Sequence, residues 1–176
     1  PSSAASDVYK RQDPGEADLV IMHPGMITNG MCSAVGSKIV IFLSPPEAGW
    51  GGLGLGSESW IRTVCVHEFT HLVHMRTLSF PARIFHWIFG DAFLPNVNFP
   101  LPEAPTVYVE SQFSPTDGRL NAPFLSAVIK SRVKAGEHPS LAYIIASPVE
   151  EFPGGHTYYL YAGAFFDYIA RVCGRE

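Results

Sequence analysis

The amino-acid sequence predicts an α+β domain, with a small N-terminal sheet followed by a mainly α-helical lobe. Two short runs rich in apolar and β-branched residues, 18–22 and 38–43, are typical of strands and lie near the start of the chain. Most later apolar segments are of helical length. The chain has 176 residues, of which 47% are hydrophobic and 16% are charged, so it can form one domain with a buried core.

The two predicted strands are separated and followed by turn-forming sequence. The region between them is rich in Gly, Asn and Ser, and Pro45-Pro46 ends the second strand because proline cannot donate a hydrogen bond to a sheet. Residues 48–56 are rich in glycine and are predicted to form a loop. This loop lacks the lysine of a phosphate-binding loop, so it does not indicate a nucleotide site.

The rest of the chain is predicted to be helical. The first long helix is predicted to run from a serine cap, at Ser57 or Ser59, to about Thr77. Proline is tolerated in the first turn of a helix, so Pro105 is compatible with a second helix that begins one or two residues before it. The other expected elements are a short helix at 81–89, a loop at 96–102, helices at 103–113, 121–135 and 158–172, and a short helix or turn at 140–146.

Charge and composition argue against several classes of partner. The net charge is −4 and the sequence contains no basic patch or nucleic-acid-binding motif, so we expect no nucleic-acid partner. No apolar run approaches the roughly 18 residues that span a bilayer, so we expect no transmembrane segment in this chain. The cysteines at positions 32, 65 and 173 show neither metal-ligand spacing nor an obvious disulfide pattern.

The strongest functional signal is the pentapeptide His67-Glu68-Phe69-Thr70-His71, an H-E-x-x-H pattern within an apolar helical segment. Residues four apart lie on one face of a helix, so both imidazoles can bind the same metal ion. The glutamate lies beside them, where it can take a proton from a metal-bound water. Burying this charge in an apolar helix is costly unless it has a partner, and a metal ion supplies one. The pattern therefore predicts a zinc site of the metallopeptidase type.

A catalytic zinc site needs a third protein ligand and an open position for water. His74 lies seven residues after His67, about 10 Å along a regular helix, so it cannot join both other histidines. Glu103 and Glu110 remain as candidates, because either can come from the predicted second helix to complete a His-His-Glu set. The residues alone leave these two alternatives open.

The segment around these two glutamates resembles a motif of the gluzincin metallopeptidases. Residues 99–111, FPLPEAPTVYVES, are similar to the family's run of proline, tryptophan, leucine, any residue, glutamate, glycine, leucine, alanine, an aromatic residue and an acidic residue. The resemblance implies that Glu103 is the third zinc ligand and that Glu110 supports the helix or the ligands. The sequence departs from the motif at Leu101, in place of tryptophan, and at Ala104, in place of glycine.

A second segment, 159–164, resembles the tyrosine helix of the aminopeptidase N group in the same clan. In that group the tyrosine donates a hydrogen bond to the tetrahedral oxyanion. The resemblance implies this role for Tyr159, with Tyr161 as the alternative, and Ala162 stands where the motif has glycine. Taken in order, the three segments are similar to thermolysin-like and aminopeptidase N enzymes, and most of all to bacterial gluzincin-like domains beside β-propeller segments of envelope proteins.

This resemblance implies a zincin-like fold, in which a small mixed sheet precedes the helical lobe that carries the active-site helix. It implies one Zn²⁺ per chain, held by His67, His71 and Glu103. Hydrolysis of a peptide bond then uses a zinc-activated water, with Glu68 as the general base and Tyr159 as the oxyanion donor. The expected activity is that of a zinc metallopeptidase acting on a peptide or protein substrate.

The strand at 38–43 bears on how such a substrate binds. It is similar to the edge strand that pairs with an extended substrate in this clan, since an unpaired edge offers backbone hydrogen bonds. Its unbroken apolar run is equally typical of an interior strand, which has neighbours on both sides. The sequence leaves both placements open.

The altered residues beside Glu103 favour a second function from a different class. In this alternative the domain is a catalytically inactive gluzincin-like module that binds partners or acts as a scaffold in a larger envelope protein. The intact H-E-x-x-H, which includes the base Glu68, favours the enzyme instead. Metal binding together with turnover distinguishes the two functions.

Both ends of the sequence indicate a fragment. Residues 6–12, SDVYKRQ, resemble translated sequencing-adapter read-through in metagenomic gene predictions. We therefore expect 1–12 to be non-native and one metallopeptidase domain to span 13–176. The last helical pattern stops abruptly, so we expect truncation at both ends and adjoining domains in a longer chain. The resemblance favours a periplasmic, cell-envelope or secreted location.

Overall fold

A computed structural model describes most of the chain: residues 16–23, 25, 29–33, 36–43, 60–76, 84, 88, 100–146 and 157–174. Within these residues a three-stranded mixed sheet is followed by five α-helices, which confirms the predicted α+β architecture. The glycine-rich loop at 48–56, the serine caps and most of the short helix at 81–89 lie outside the described residues. None of the described helices has both the length and the apolarity needed to cross a bilayer.

The sheet consists of β1 (Asp18–Met22), β2 (Gly30–Ser33) and β3 (Lys38–Phe42), in the order β1-β3-β2. β1 runs parallel to β3, with Asp18 opposite Lys38. β2 runs antiparallel to β3, with Gly30 opposite Ile41. The two strands predicted from the sequence are confirmed. β2 was missed, because it lies in the segment that the Gly, Asn and Ser content predicted to be a turn region.

Of the two placements left open for 38–43, the edge placement implied by the resemblance is wrong. β3 is the central strand, and its apolar run is explained by pairing on both sides and by burial of Ile39 and Ile41 on one face. The interior placement is therefore confirmed. Among the described strands β1 and β2 form the edges, and β2 is the one beside the first long helix.

Five helices and one 3₁₀ turn follow the sheet. They are α1 (Trp60–Arg76), α2 (Pro100–Glu110), the 3₁₀ turn (Arg119–Asn121), α3 (Pro123–Lys134), α4 (Leu141–Ala146) and α5 (Thr157–Cys173). Each of the five α-helices corresponds to an element predicted from the sequence, with ends that differ by a few residues, whereas the 3₁₀ turn was not predicted. Proline at the start of α3 suits a helix because the first N–H groups have no partner inside the helix.

The start of α2 corrects two expectations. Residues 100–102 belong to the helix, so the predicted loop at 96–102 was wrong over its last three positions. Pro105 accordingly lies in the second turn of the helix and not in the first. In the second turn a proline removes one backbone hydrogen bond of the helix. Pro100 and Pro102 made the start of this helix look like a loop, although both lie where backbone donors are not needed.

Two buried clusters hold the elements together. The first joins the sheet to α1 through Ile39, Ile41, Val64 and Leu72. The second joins α3, α5 and the segment before α3 through Ala122, Leu125, Val128 and Leu160. α2 lies between α1 and α5 and contacts both.

The contact of α2 with α5 is especially close at Gly163. A Cβ atom built at this glycine would overlap the side chain of Val107 on α2. The two helix backbones can therefore approach at this point only because position 163 has no side chain.

Candidate metal centre

Helix geometry places the two motif histidines on one face of α1. His67 and His71 are one turn apart, and their ring centroids are 4.8 Å apart. The same face carries Trp60, Thr63 and Val64, and it borders a cavity of about 220 Å³. The cavity is lined by Asn29, Gly30, Trp60, Thr63, Val64, His67, Glu68, His71, Glu103, Glu110, Arg119 and Tyr159.

Glu103 on α2 meets both histidines in this cavity. Its Oε2 atom lies 3.0 Å from His67 Nε2 and 3.3 Å from His71 Nε2. The three ligand atoms lie within 4.8 Å of one another, and the group is largely buried. His67, His71 and Glu103 thus form a His-His-Glu group that can hold a metal ion.

The donor set fits zinc. Two imidazole nitrogens and one carboxylate oxygen are ligands that Zn²⁺ prefers, and three protein ligands leave one position open. A ligating histidine usually donates its other ring N–H to a carboxylate, which fixes the ring. His67 Nδ1 lies 2.7 Å from Glu110 Oε2, so this histidine has that support.

Glu110 lies on the opposite side of His67 from Glu103. Its carboxylate is fully buried and receives three hydrogen bonds, from His67 Nδ1, from the backbone N–H of Arg119 and from Arg119 Nη1. It contacts Nδ1 and does not belong to the group that converges at Nε2. The structure therefore separates the two glutamates that the residues alone left as alternatives.

Burial and charge shift the protonation of this group. Burial lowers the pKa of His67, but its hydrogen bonds with Glu103 and Glu110 outweigh burial and raise the pKa to about 9. Burial raises the pKa of Glu103, but its hydrogen bonds with His67 and His71 lower the pKa to about 2. In the metal-free protein His67 and Glu103 are therefore an ion pair at neutral pH, and a metal ion must displace a proton to bind.

Glu68 follows His67 on α1 and borders the same cavity. It is 7% exposed, and burial raises its pKa while the neighbouring histidines oppose the shift. Its side chain packs directly against the backbone of β2. A Cβ atom built at Gly30 would lie 2.7 Å from Glu68 Cγ and 2.8 Å from its Oε1, and 2.6 Å from Val64 Cγ2.

Tyr159 reaches the cavity from α5. Its ring centroid is 6.2 Å from that of His67, and the guanidinium carbon of Arg119 lies 4.6 Å from the centroid of the Tyr159 ring. Burial raises the pKa of the Tyr159 hydroxyl, so it remains a proton donor at neutral pH. Tyr161, the alternative, packs against the second core cluster.

His74 does not join the ligand group. It is exposed and lies one turn beyond His71 on α1. Its distance along the helix from His67 explains this placement.

Several residues of the cavity were missed in the sequence. Arg119 is the most important, because it contacts Glu110 and Tyr159 together. It follows Gly118 in a turn and belongs to no recognisable motif. Gly30 and Asn29 were missed because β2 was not predicted. Gly118 has a positive φ of 87°, and a Cβ atom there would overlap Ser111. The sequence indicates this turn merely by the presence of glycine.

Comparisons with known proteins give no relative for this chain. No protein-family model, no curated protein and no solved structure matches it. Geometry and chemistry are therefore the basis for assigning a function.

Proposed function

We propose that this chain is a zinc-dependent peptidase domain of the gluzincin type, with His67, His71 and Glu103 as metal ligands. The observation that carries the proposal is the convergence of these three side chains in a cavity that Glu68 also borders. A metal ligand set alone is compatible with a structural site. A buried carboxylate beside it, with no place in the ligand group, favours hydrolysis.

A zinc ion in this group supplies Lewis acidity, which lowers the pKa of a water molecule and polarises a carbonyl group. Glu68 is the proposed general base. Burial raises its pKa, which brings the carboxylate closer to the value at which it can both accept and return a proton near neutral pH. In the proposed reaction Glu68 accepts a proton from water and delivers it to the leaving amine.

Tyr159 is the proposed donor to the oxyanion. It borders the cavity from the side of α5, whereas Glu68 borders it from α1. Its raised pKa keeps the hydroxyl protonated, as a hydrogen-bond donor must be. The guanidinium of Arg119 packs on the face of the Tyr159 ring. This contact restricts rotation of the ring and so limits where its hydroxyl group can lie.

β2 is the strand on which we propose that an extended substrate binds. The N–H of Phe42 donates to the carbonyl oxygen of Asn29, so these two residues form a hydrogen-bonded pair of the antiparallel ladder. Such pairs alternate with non-hydrogen-bonded pairs, so Gly30 and Ile41, the next residues opposite each other, exchange no backbone hydrogen bonds. The backbone groups of Gly30 therefore point away from β3. The N–H of Gly30 donates to Asn29 Oδ1 at 2.9 Å, in the position that a carbonyl of an added peptide strand would take.

The first test combines zinc content with turnover. Elemental mass spectrometry of the purified chain should give about one zinc per molecule, and Glu103→Ala should bind much less. Glu68→Gln should keep its zinc and lose cleavage of a fluorogenic peptide library by about 100-fold or more. Glu137→Gln, an exposed glutamate on the surface, is the matched control and should resemble the parent. A parent without zinc, or a Glu68→Gln variant as active as the parent, would refute the proposal.

A second candidate function is an inactive metal-binding module of the same type. The observation that favours it is the altered backbone beside the third ligand, where Ala104 and Pro105 follow Glu103 inside α2. The structure nevertheless brings Glu103 to both histidines. A chain that binds one zinc and cleaves no peptide in the library would favour the module over the enzyme.

A further inference from the structure

Arg119 fixes the carboxylate that supports His67. Its Nη1 atom donates to Glu110 Oε2 at 2.7 Å, and its backbone N–H donates to Glu110 Oε1 at 3.0 Å. Arg119 thus satisfies both oxygens of a side chain that has no solvent access. A carboxylate held at both oxygens cannot rotate away from His67, so the imidazole keeps the orientation in which Nε2 points to Glu103.

The same guanidinium also packs on the proposed oxyanion donor. Its central carbon lies 4.6 Å from the centroid of the Tyr159 ring, a distance typical of a cation–π contact. Tyr158, its neighbour in the sequence, also packs on Tyr159, with ring centroids 4.1 Å apart. The contacts with Arg119 and Tyr158 both limit rotation of the Tyr159 ring, and Arg119 also contacts Glu110 beside the metal ligands.

We propose that Arg119 is a positioning residue that sets both the first histidine ligand and Tyr159. The inference rests on the proposed function, because it assumes that zinc binds His67, His71 and Glu103. On one side Arg119 acts on His67 through Glu110, and its Nη1 atom also lies 3.3 Å from His67 Nδ1. On the other side it acts on Tyr159 through ring packing. It contacts both the carboxylate beside the metal ligands and the ring of Tyr159, and so links the ligand side of the cavity to the tyrosine side.

The chemistry of arginine explains why one residue can perform both tasks. A guanidinium is planar, so its edge can donate to a carboxylate while its face lies on an aromatic ring. A lysine ammonium can replace the single Nη1 bond to Glu110, but it has no flat face for Tyr159. Methionine has a similar length and supplies neither contact. Substitutions at Arg119 therefore separate the two tasks.

The test is the zinc affinity of three variants, measured by competition with a chromogenic chelator. Arg119→Met should weaken zinc binding by about 10- to 100-fold, because the support of His67 is lost. Arg119→Lys should recover most of this affinity, since the ammonium restores the contact with Glu110. Arg132→Met is the matched control: Arg132 pairs with Glu137 and lies over Tyr143, far along the chain from the ligands, and zinc affinity should not change.

Peptide cleavage gives the second readout. Arg119→Lys, fully loaded with zinc, should still have kcat lower by about 10- to 100-fold, because the Tyr159 ring has lost its flat support. This split between restored affinity and lowered kcat would not follow from a merely structural role. If Arg119→Met does not fold, Arg119→Gln replaces it, since its amide can donate one hydrogen bond to Glu110 without charge, and an intermediate loss of zinc affinity is expected.

The outcomes distinguish this inference from the proposed function. Zinc affinity of Arg119→Met equal to that of the parent would overturn the inference and leave the proposed function intact. An Arg119→Lys variant that binds zinc no better than Arg119→Met would also overturn it, since Glu110 would not be the route. A parent that binds no zinc would overturn both.

Discussion

Two groups of the same three residue types lie in different regions of the molecule. In the cavity, Arg119 pairs with Glu110 and packs on Tyr159, and on the surface, Arg132 pairs with Glu137 and lies over Tyr143. The ion-pair distances are similar, 2.7 Å and 2.9 Å. The carboxylate side chains differ in solvent access, with 0% of Glu110 and 58% of Glu137 exposed.

The surroundings of an ion pair therefore decide how much the pair contributes to stability. Burial raises the pKa of Glu110, yet the charge of Arg119 and the bond to His67 outweigh it and lower the pKa. Removing Arg119 leaves the Glu110 carboxylate as an unpaired charge with no solvent access, which is strongly destabilising. Glu137 can instead be hydrated when Arg132 is removed, so its pair contributes little. Two ion pairs with similar distances therefore differ greatly in how much stability is lost when one partner is removed.

The largest expected effect comes from removing the buried carboxylate. Glu110→Ala should lower the free energy of unfolding of the metal-free protein by about 3 to 5 kcal/mol, because His67 Nδ1, the Arg119 backbone N–H and Arg119 Nη1 all lose a buried acceptor. Glu137→Ala should change it by less than about 1 kcal/mol. Chemical denaturation followed by circular dichroism measures both. Equal effects of the two variants would contradict the comparison.

The second effect concerns pH. The folded pKa of His67, about 9, lies above its ordinary value of 6.5, so its stabilisation is present below pH 6.5 and is lost as pH rises through 9. The metal-free protein should lose about 2 to 3 kcal/mol over this window. Zinc needs the deprotonated Nε2, so the rise in Tm on adding zinc should grow from pH 6.5 to 9. His67→Gln should abolish both trends, whereas Glu137→Gln should retain them.

A third effect compares two glycines. Gly30→Ala should cost about 2 kcal/mol, because the new methyl group overlaps Glu68 and Val64. It should also displace Glu68 and lower peptide cleavage while leaving zinc content unchanged. Gly36→Ala is the control, since its methyl group would make only ordinary contacts with Lys38, at 3.5 Å and beyond. If both variants unfold at the same denaturant concentration, Gly30 does not lie close enough to Glu68 to exclude a methyl group.

The smallest effect belongs to the surface pair. Arg132→Met should lower the free energy of unfolding by less than about 1 kcal/mol, and the difference should vanish in about 1 M salt, where exposed charges are screened. Thermal unfolding at low and high salt measures it. A loss of several kcal/mol that persists in salt would show that this pair is not a simple surface pair.

The sequence predicted those elements that are determined by residues close together in the chain. His67 and His71 lie on the same helix, so their spacing alone predicted that both could bind one metal ion. The long helices were predicted from their own apolar periodicity. β2 was missed because Gly30 to Ser33 contains no β-branched residue, and it is a strand because β3 pairs with it. The central position of β3 likewise depends on neighbours that come from elsewhere in the chain.

The same limit applied to the site. Glu103 and Glu110 are seven residues apart and lie on nearly the same face of α2, so their helix positions alone do not show which one meets Nε2. That depends on how α2 sits between α1 and α5. Arg119 carried no signal, because its importance comes from contacts with residues 9 and 40 positions away and from no motif. The resemblance to gluzincins supplied the assignment of Glu103 that the residues alone did not.

The close contact of Gly163 with Val107 has a mechanical consequence. Gly163 lies one turn after Tyr159, and Val107 lies one turn after Glu103, so the point where α5 and α2 press together is a pivot near both residues. A lever arm of one turn is about 5.4 Å, and a 10° change in the crossing angle then moves its end by only about 1 Å. The distance between Tyr159 and Glu103 therefore changes little even if the far ends of the two helices move.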